Sequence, residues 1–193
     1  MHNTKLNILL ASKSPRRKQL FEMADFNTTI ITIDADESFD AAMPVDDVSI
    51  YLAEKKASFY KETINEGSLL VTADTIVVTE KGILNKPQNA TEAAHMLAAL
   101  SRNWHQVHTG VHIKTPTQQF SFNEVTQVFM DALSPAEIDY YIANYQPFDK
   151  AGSYGVQDWI GVTHVAQLRG CYYNVMGFPM PRFYKELQKN NLI

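Results

Sequence analysis

The segment Leu69–Val78, LLVTADTIVV, constrains this chain more than any other. It is apolar and rich in β-branched residues, so Leu69–Thr79 reads as a long buried strand, yet Asp74 stands in its middle. An ionised carboxylate in such a strand is costly unless it is paired or bound to a metal. Either Asp74 hydrogen-bonds a turn, or it serves a site. A magnesium ion facing a triphosphate would supply a reason, because Mg²⁺ favours one or two carboxylates completed by substrate phosphate oxygens.

Around this strand the pattern alternates. Leu6–Ala11 reads as a short strand that ends in Ser12-Lys13-Ser14-Pro15, where a hydroxyl cap and a first-turn proline open a helix to about Ala24. Phe26–Ile33 is threonine-rich and β-branched, a second strand, and Asp34–Pro44 is an acidic loop. Val48, Tyr51, Leu52 and Phe59 recur at helical spacing over Asp46–Lys61. Glu80-Lys81-Gly82 turns the long strand into a hairpin with Ile83 and Leu84. Asn89–Leu100 is a capped helix, Trp104–Lys114 and Gln119–Asp131 are strands, and Ser134-Pro135-Ala136-Glu137 is a capping box opening another helix. Its Ile138, Tyr141, Ile142 and Tyr145 share one face. Glycines at 152, 155, 161, 170 and 177 punctuate short strands before a last helix from Pro181 to Lys189. The expectation is one α/β or α+β domain over residues 1–193 with a mixed sheet.

Positive charge gathers at Lys13, Arg16, Arg17 and Lys18, two of these in a helical first turn where cations oppose the helix dipole. A bound phosphate would resolve that conflict, and arginine suits bidentate phosphate contact; a solvated pair is the bland alternative. On the Asp46–Lys61 helix, the large apolar residues place Lys55 nearer the centre of the stripe and Lys56 toward its edge. Lys86 precedes Pro87, which biases it to an extended conformation after the hairpin. His105 and His108 fall on opposite faces of a strand, and no Cys, Asp or Glu at ligand spacing accompanies His108 and His112, so a zinc site is not expected. Trp104, Tyr154, Trp159, Tyr172 and Tyr173 read as core or interface residues.

A formal net charge of −4, with no run of like charges, argues against a long nucleic acid as partner. The single cysteine, Cys171, excludes an internal disulfide and has no evident activating base beside it. MHNTKLNILLAS is too short an apolar stretch for a leader or a membrane span, and no later segment is long enough, so a cytoplasmic location and no membrane are expected.

Together the motifs LASKSPRRKQLFE (Leu10–Glu22), DESF (Asp36–Phe39), YLAEKKA (Tyr51–Ala57), ADTIVV (Ala73–Val78), GILNKP (Gly82–Pro87), HQVHTGV (His105–Val111), DKAGSYGVQ (Asp149–Gln157) and NVMGFP (Asn174–Pro179) resemble the Maf family of nucleoside triphosphate pyrophosphatases. Each is short, but their order makes the match specific. The resemblance implies an α/β fold with a twisted mixed β-sheet flanked by helices, two lobes with a central cleft as in Maf and ITPase-like proteins, and a homodimer. It further implies that Ser12, Arg16, Arg17, Lys56 and Lys86 bind phosphates, and that Glu37 and Asp74 hold a divalent cation, Mg²⁺ or Mn²⁺, and position or activate the attacking water. Thr75 and Gln157 would complete the substrate pocket. The family pattern picks Lys56 where periodicity favours Lys55. Thr75 and Gln157 look like the branch acting on dTTP and UTP rather than on methylated guanosine triphosphate, and Phe178 stands where leucine is usual, a packing position.

Cleavage between α- and β-phosphates asks for charge neutralisation more than covalent chemistry, which clustered cations and a metal can supply. There is no P-loop. The alternative is a nucleotide-binding regulator of cell division with little turnover, which has less need of two carboxylates beside an anionic ligand.

Overall fold

In the computed structural model, which describes residues 6–193, the segment around Asp74 is a strand. The first residues of the amino-terminal stretch weighed as a leader, 1–5, lie outside the described residues. The strands are β1 (Asn7–Ala11), β2 (Thr28–Ile31), β3 (Ser68–Thr79), β4 (Gly82–Leu84), β5 (Asn103–Lys114), β6 (Gln119–Met130) and β7 (Val165–Arg169). The helices are α1 (Pro15–Met23), α2 (Val45–Ser58), α3 (Ala90–Leu100), α4 (Pro135–Tyr145), α5 (Trp159–His164), α6 (Tyr172–Met176) and α7 (Met180–Lys189). Strand order is β2-β1-β3-β5-β6-β7, with β4 paired to β3. The sheet is mixed: β1 runs parallel to β2 and β3, while the β3–β4 and β6–β7 pairs are antiparallel. Among the described residues, no helix is long and apolar enough to cross a membrane.

Contacts divide the chain into two compact units: residues up to Asp74 with Thr109–Glu124 and Gly177–Ile193, and Thr75–His108 with Val125–Met176. The boundary falls between Asp74 and Thr75, so β3 contributes to both.

In the first unit, β1 lies between its parallel neighbours with Ile8 opposite both Thr28 and Leu69. Helix α2 buries Val48, Ser49, Leu52, Ala53 and Ala57. Its small residues allow backbone to approach backbone. The Thr72 hydroxyl donates to the Ala53 carbonyl at 2.6 Å. A Cβ at Gly110 in β5 would stand 2.2 Å from the Ser49 carbonyl carbon, so only glycine fits under that turn of α2. Phe178 is fully buried in an aromatic cluster, its ring 4.7 Å from Phe21 and 5.2 Å from Phe183. Those contacts give the aromatic ring at this position its packing role.

In the second unit, Val77 pairs with Leu84 and Thr79 with Gly82 across the expected hairpin. Asn89 caps α3 through the Glu92 N–H, and Ser134 and Glu137 form the full capping box of α4. The glycine-rich stretch departs from the expected series of short strands. It forms two 3₁₀ turns, Pro147–Asp149 and Ala151–Ser153, and the short helices α5 and α6, with β7 as its strand. A strand needs a neighbour for its ladder; Val165–Arg169 finds one in β6. The turns satisfy their backbone locally instead, as in Lys150 N to Pro147 O at 3.2 Å and Asn174 N to Cys171 O at 3.1 Å.

Candidate functional site

The first unit gathers charge at the end of β1. The Ser12 hydroxyl accepts from the Ser14 N–H at 3.1 Å, and Ser14 caps α1 by accepting from the Arg17 N–H. No acidic residue occupies the first turn of α1; Arg16 and Arg17 do. Arg17 turns inward, its Nε donating to the Gly177 carbonyl and one Nη to the Ala73 carbonyl, both at 2.8 Å. Burial lowers its pKa, Asp74 opposes the shift, Arg16 adds to it and Glu37 opposes it. The guanidinium therefore feels the charge of both carboxylates, Asp74 more strongly than Glu37.

Lys56 joins those carboxylates. Its Nζ lies 3.4 Å from Asp74 Oδ1 and 3.5 Å from Glu37 Oε1. Asp74 is buried, whereas Glu37 reaches in from the exposed loop before α2. That loop is fastened by Lys55, whose Nζ donates to Asp36 Oδ2 at 2.9 Å and to the Ser38 carbonyl at 2.7 Å. Ser38 in turn donates to Asp36 through its N–H at 3.0 Å and through its hydroxyl. These bonds, the Ser38 hydroxyl foremost and Lys55 next, hold the Asp36 pKa down at about 2. Consecutive lysines thus do different work: Lys55 braces the two neighbours of Glu37, and Lys56 meets Glu37 itself.

The periodicity of Val48, Leu52 and Phe59 favours Lys55 as the inward one, but two large apolar residues of this stretch, Tyr51 and Phe59, lie outside the buried face. Those side chains are 37% and 46% exposed. The buried face instead includes Ser49, Ala53 and Ala57, which carry little hydrophobic signal. At 3.6 residues per turn, this turns the buried face by roughly a quarter turn and centres it on Lys56.

In the second unit, Thr75 is half-buried in β3, and Lys86 is exposed just after β4, followed by a buried Pro87. The Gln157 Nε2 donates to Asp158 Oδ1 at 3.0 Å. Asp158 also accepts from the Tyr141 hydroxyl at 2.8 Å and lies 3.7 Å from Lys150 Nζ. The histidines are engaged with polar side chains: His105 with Tyr154, His108 with Gln106 and, in the first unit, His112 with Ser121, at 2.7 to 2.8 Å. Cys171 is half-buried, and the Thr126 hydroxyl donates to its carbonyl at 3.2 Å.

A family model described as Maf-like protein matches residues 7–190. The chain belongs to the Maf family. Among curated relatives, the dTTP/UTP pyrophosphatase of Cytophaga hutchinsonii is 44% identical over 189 residues, 98% of this chain and 85% of that protein. The proteins of the same name from Phocaeicola vulgatus and Bacteroides thetaiotaomicron are each 44% identical over 186 residues, covering 96% of both chains. The solved structure of the Staphylococcus aureus Ham1 protein aligns with 64% of this chain and 71% of its own at 13% identity, with a TM-score of 0.43.

Of the residues that the Maf motifs single out, Arg17, Glu37, Lys56 and Asp74 meet within the first unit, which also carries Ser12 and Arg16. Thr75, Lys86 and Gln157 belong to the second unit. Sequence reasoning assigned no site role to Asp158, Tyr141 or Lys150, reading Tyr141 only as part of the apolar face of α4 and Lys150 only as part of a motif. The signal was present only as adjacency, an acidic residue directly after Gln157.

Proposed function

We propose that this member of the Maf family hydrolyses nucleoside triphosphates, dTTP and UTP foremost, to the monophosphate and pyrophosphate. The observation that carries the proposal is the Lys56 ammonium within 3.5 Å of both Glu37 and Asp74, with Arg17 alongside. The relatives named dTTP/UTP pyrophosphatase supply the substrate class.

In this reading Ser12, Arg16, Arg17, Lys56 and Lys86 hold the phosphates, and Thr75 and Gln157 complete the pocket for the nucleoside. Water adds to the α-phosphorus, the bond from it to the α–β bridging oxygen breaks, and pyrophosphate departs. A carboxylate takes the proton from the water, and Asp74, the more buried of the two, is the better placed to keep an acceptor oxygen dry. The cations stabilise charge growing on the leaving group, which is where such enzymes gain most of their rate.

Glu37 and Asp74 also suit a hard divalent cation, Mg²⁺ or Mn²⁺. Among the described residues no cluster of three or more His, Cys, Asp and Glu could hold a metal alone, and a Mg²⁺ ion needs only one or two carboxylates when phosphate oxygens supply the rest. When bound, the cation adds to the neutralisation of the polyphosphate.

The test is purified protein with Mg²⁺ or Mn²⁺ and a nucleotide panel, identifying the phosphorus product. Pyrophosphate from dTTP and UTP supports the proposal; orthophosphate overturns the reaction assignment, and tight binding without turnover replaces it with the regulatory reading. The homodimer and cytoplasmic location belong to the same proposal, and sedimentation of the purified chain as a monomer would remove the former.

A further inference from the structure

Gln157 has one end of its amide fixed. Its Nε2 donates to Asp158 Oδ1 at 3.0 Å. A carboxylate only accepts, so the nitrogen must be the end that faces it, and the hydrogen-bond network itself assigns the amide orientation. The other end, Oε1, is buried and has no hydrogen-bond partner among the described residues. Buried acceptors are nearly always matched in folded chains, so an unmatched one held in a fixed direction calls for an explanation.

Asp158 is itself held. The buried Tyr141 hydroxyl donates to its Oδ2 at 2.8 Å, with Lys150 Nζ 3.7 Å from the same oxygen. Tyr141 accepts from the Gly155 N–H at 3.2 Å, and the Asp158 N–H donates to the Gly155 carbonyl at 3.0 Å. A Cβ on Gly155 would come within 2.6 Å of Asp158 Oδ2 and 2.7 Å of Gln157 Nε2. A side chain at this position would push both of these side chains out of place.

We propose that Asp158 is a specificity-determining positioning residue: it locks the Gln157 amide so that the substrate base meets an acceptor. The inference rests on the reading of Gln157 as part of the nucleoside pocket. The matching donor is the ring imide N–H of uracil or thymine. Cytosine offers a lone pair at that ring nitrogen, so two acceptors would face each other and the cytosine nucleotide is rejected. A site built to hydrogen-bond an N–H discriminates strongly against an analogue lacking it, provided the acceptor cannot turn over. Asp158 prevents the turnover, because flipping Gln157 would set its oxygen against a carboxylate.

The test compares kcat/KM for UTP and CTP in the wild type and in Asp158→Asn. Asparagine presents either a donor or an acceptor, so the Gln157 amide can reverse. The expected result is a fall in the UTP:CTP ratio of about tenfold or more, with CTP turnover rising in absolute terms. A merely structural role would lower both substrates together and leave the ratio unchanged, which would overturn the proposal. If Asp158→Asn does not fold, Tyr141→Phe loosens Asp158 without removing it, and the ratio should drop severalfold; an unchanged ratio there also overturns it. A wild type that hydrolyses neither UTP nor dTTP sinks the pyrophosphatase reading along with this one. An unchanged ratio in an active variant sinks the role of Asp158 alone.

Discussion

Replacing Asp74 with asparagine separates the chemistry of the carboxylate from its contribution to folding. The Lys56–Asp74 pair is 3.4 Å apart with side chains 13% and 12% exposed. At an effective dielectric near 20, that separation corresponds to about 5 kcal/mol of Coulomb attraction. Most of this is offset by the cost of drying the carboxylate, several kcal/mol, which the variant no longer bears. Lys56 keeps Glu37 at 3.5 Å, the Arg17 bond to the Ala73 carbonyl does not involve the altered side chain, and asparagine retains an acceptor oxygen. The net loss should be about 1–2 kcal/mol, a fall in melting temperature of roughly 2–8 °C for a chain of this length. A domain stable by about 5–15 kcal/mol remains folded after that loss. Turnover should fall by about 10²–10⁴, the usual worth of a positioned base. The assay is pyrophosphate release under saturating UTP beside a thermal melt of the same preparation. Near-normal turnover would remove Asp74 from the mechanism, and a variant that fails to fold would show that the offset was misjudged.

Lys55→Ala should free the loop carrying Glu37 by removing the bonds to Asp36 and Ser38; kcat/KM should fall about tenfold while the melting temperature barely moves, and unchanged kinetics would show that Glu37 needs no such brace. Gly110→Ala forces a methyl group to 2.2 Å from the Ser49 backbone, so denaturant unfolding should report a loss of about 1–3 kcal/mol or more, and a neutral result would contradict the close approach of α2 to β5. Burial lowers the His105 pKa to about 4 from an ordinary 6.5. Its neutral form therefore stabilises the fold fully above pH 6.5, and this contribution, about 3 kcal/mol at most, is lost as pH falls through the window to about 4. His105→Gln should flatten the stability-against-pH curve in that window, and an unaltered slope would place the acid sensitivity elsewhere.

Much of this chain was legible because its local signals agree. Ser14 and Pro15, Asn89, and the Ser134–Glu137 box start helices that the structure forms, since a cap acts within a few residues of itself. The strand around Asp74 and its hairpin followed from composition and turn chemistry in the same way. The second strand was read as Phe26–Ile33 but closes to Thr28–Ile31, because β1 offers partners only over that length. The Maf motifs, by their order, pointed to Glu37, Lys56 and Asp74.

What the sequence determined alone was the menu: which residues carry charge, where helices begin, and that one carboxylate sits in an apolar strand. Tertiary structure decided which of two adjacent lysines meets the carboxylates, because small side chains, nearly silent in hydrophobic periodicity, let α2 settle onto Gly110 and Thr72 and turned its buried face. It decided that Arg17 donates to the Gly177 and Ala73 carbonyls, and that Asp158, held by Tyr141, fixes the Gln157 amide. Arg17 reaches Gly177 and Ala73, and Tyr141 reaches Asp158, across stretches of chain that only backbone packing brings together, and no local pattern records that.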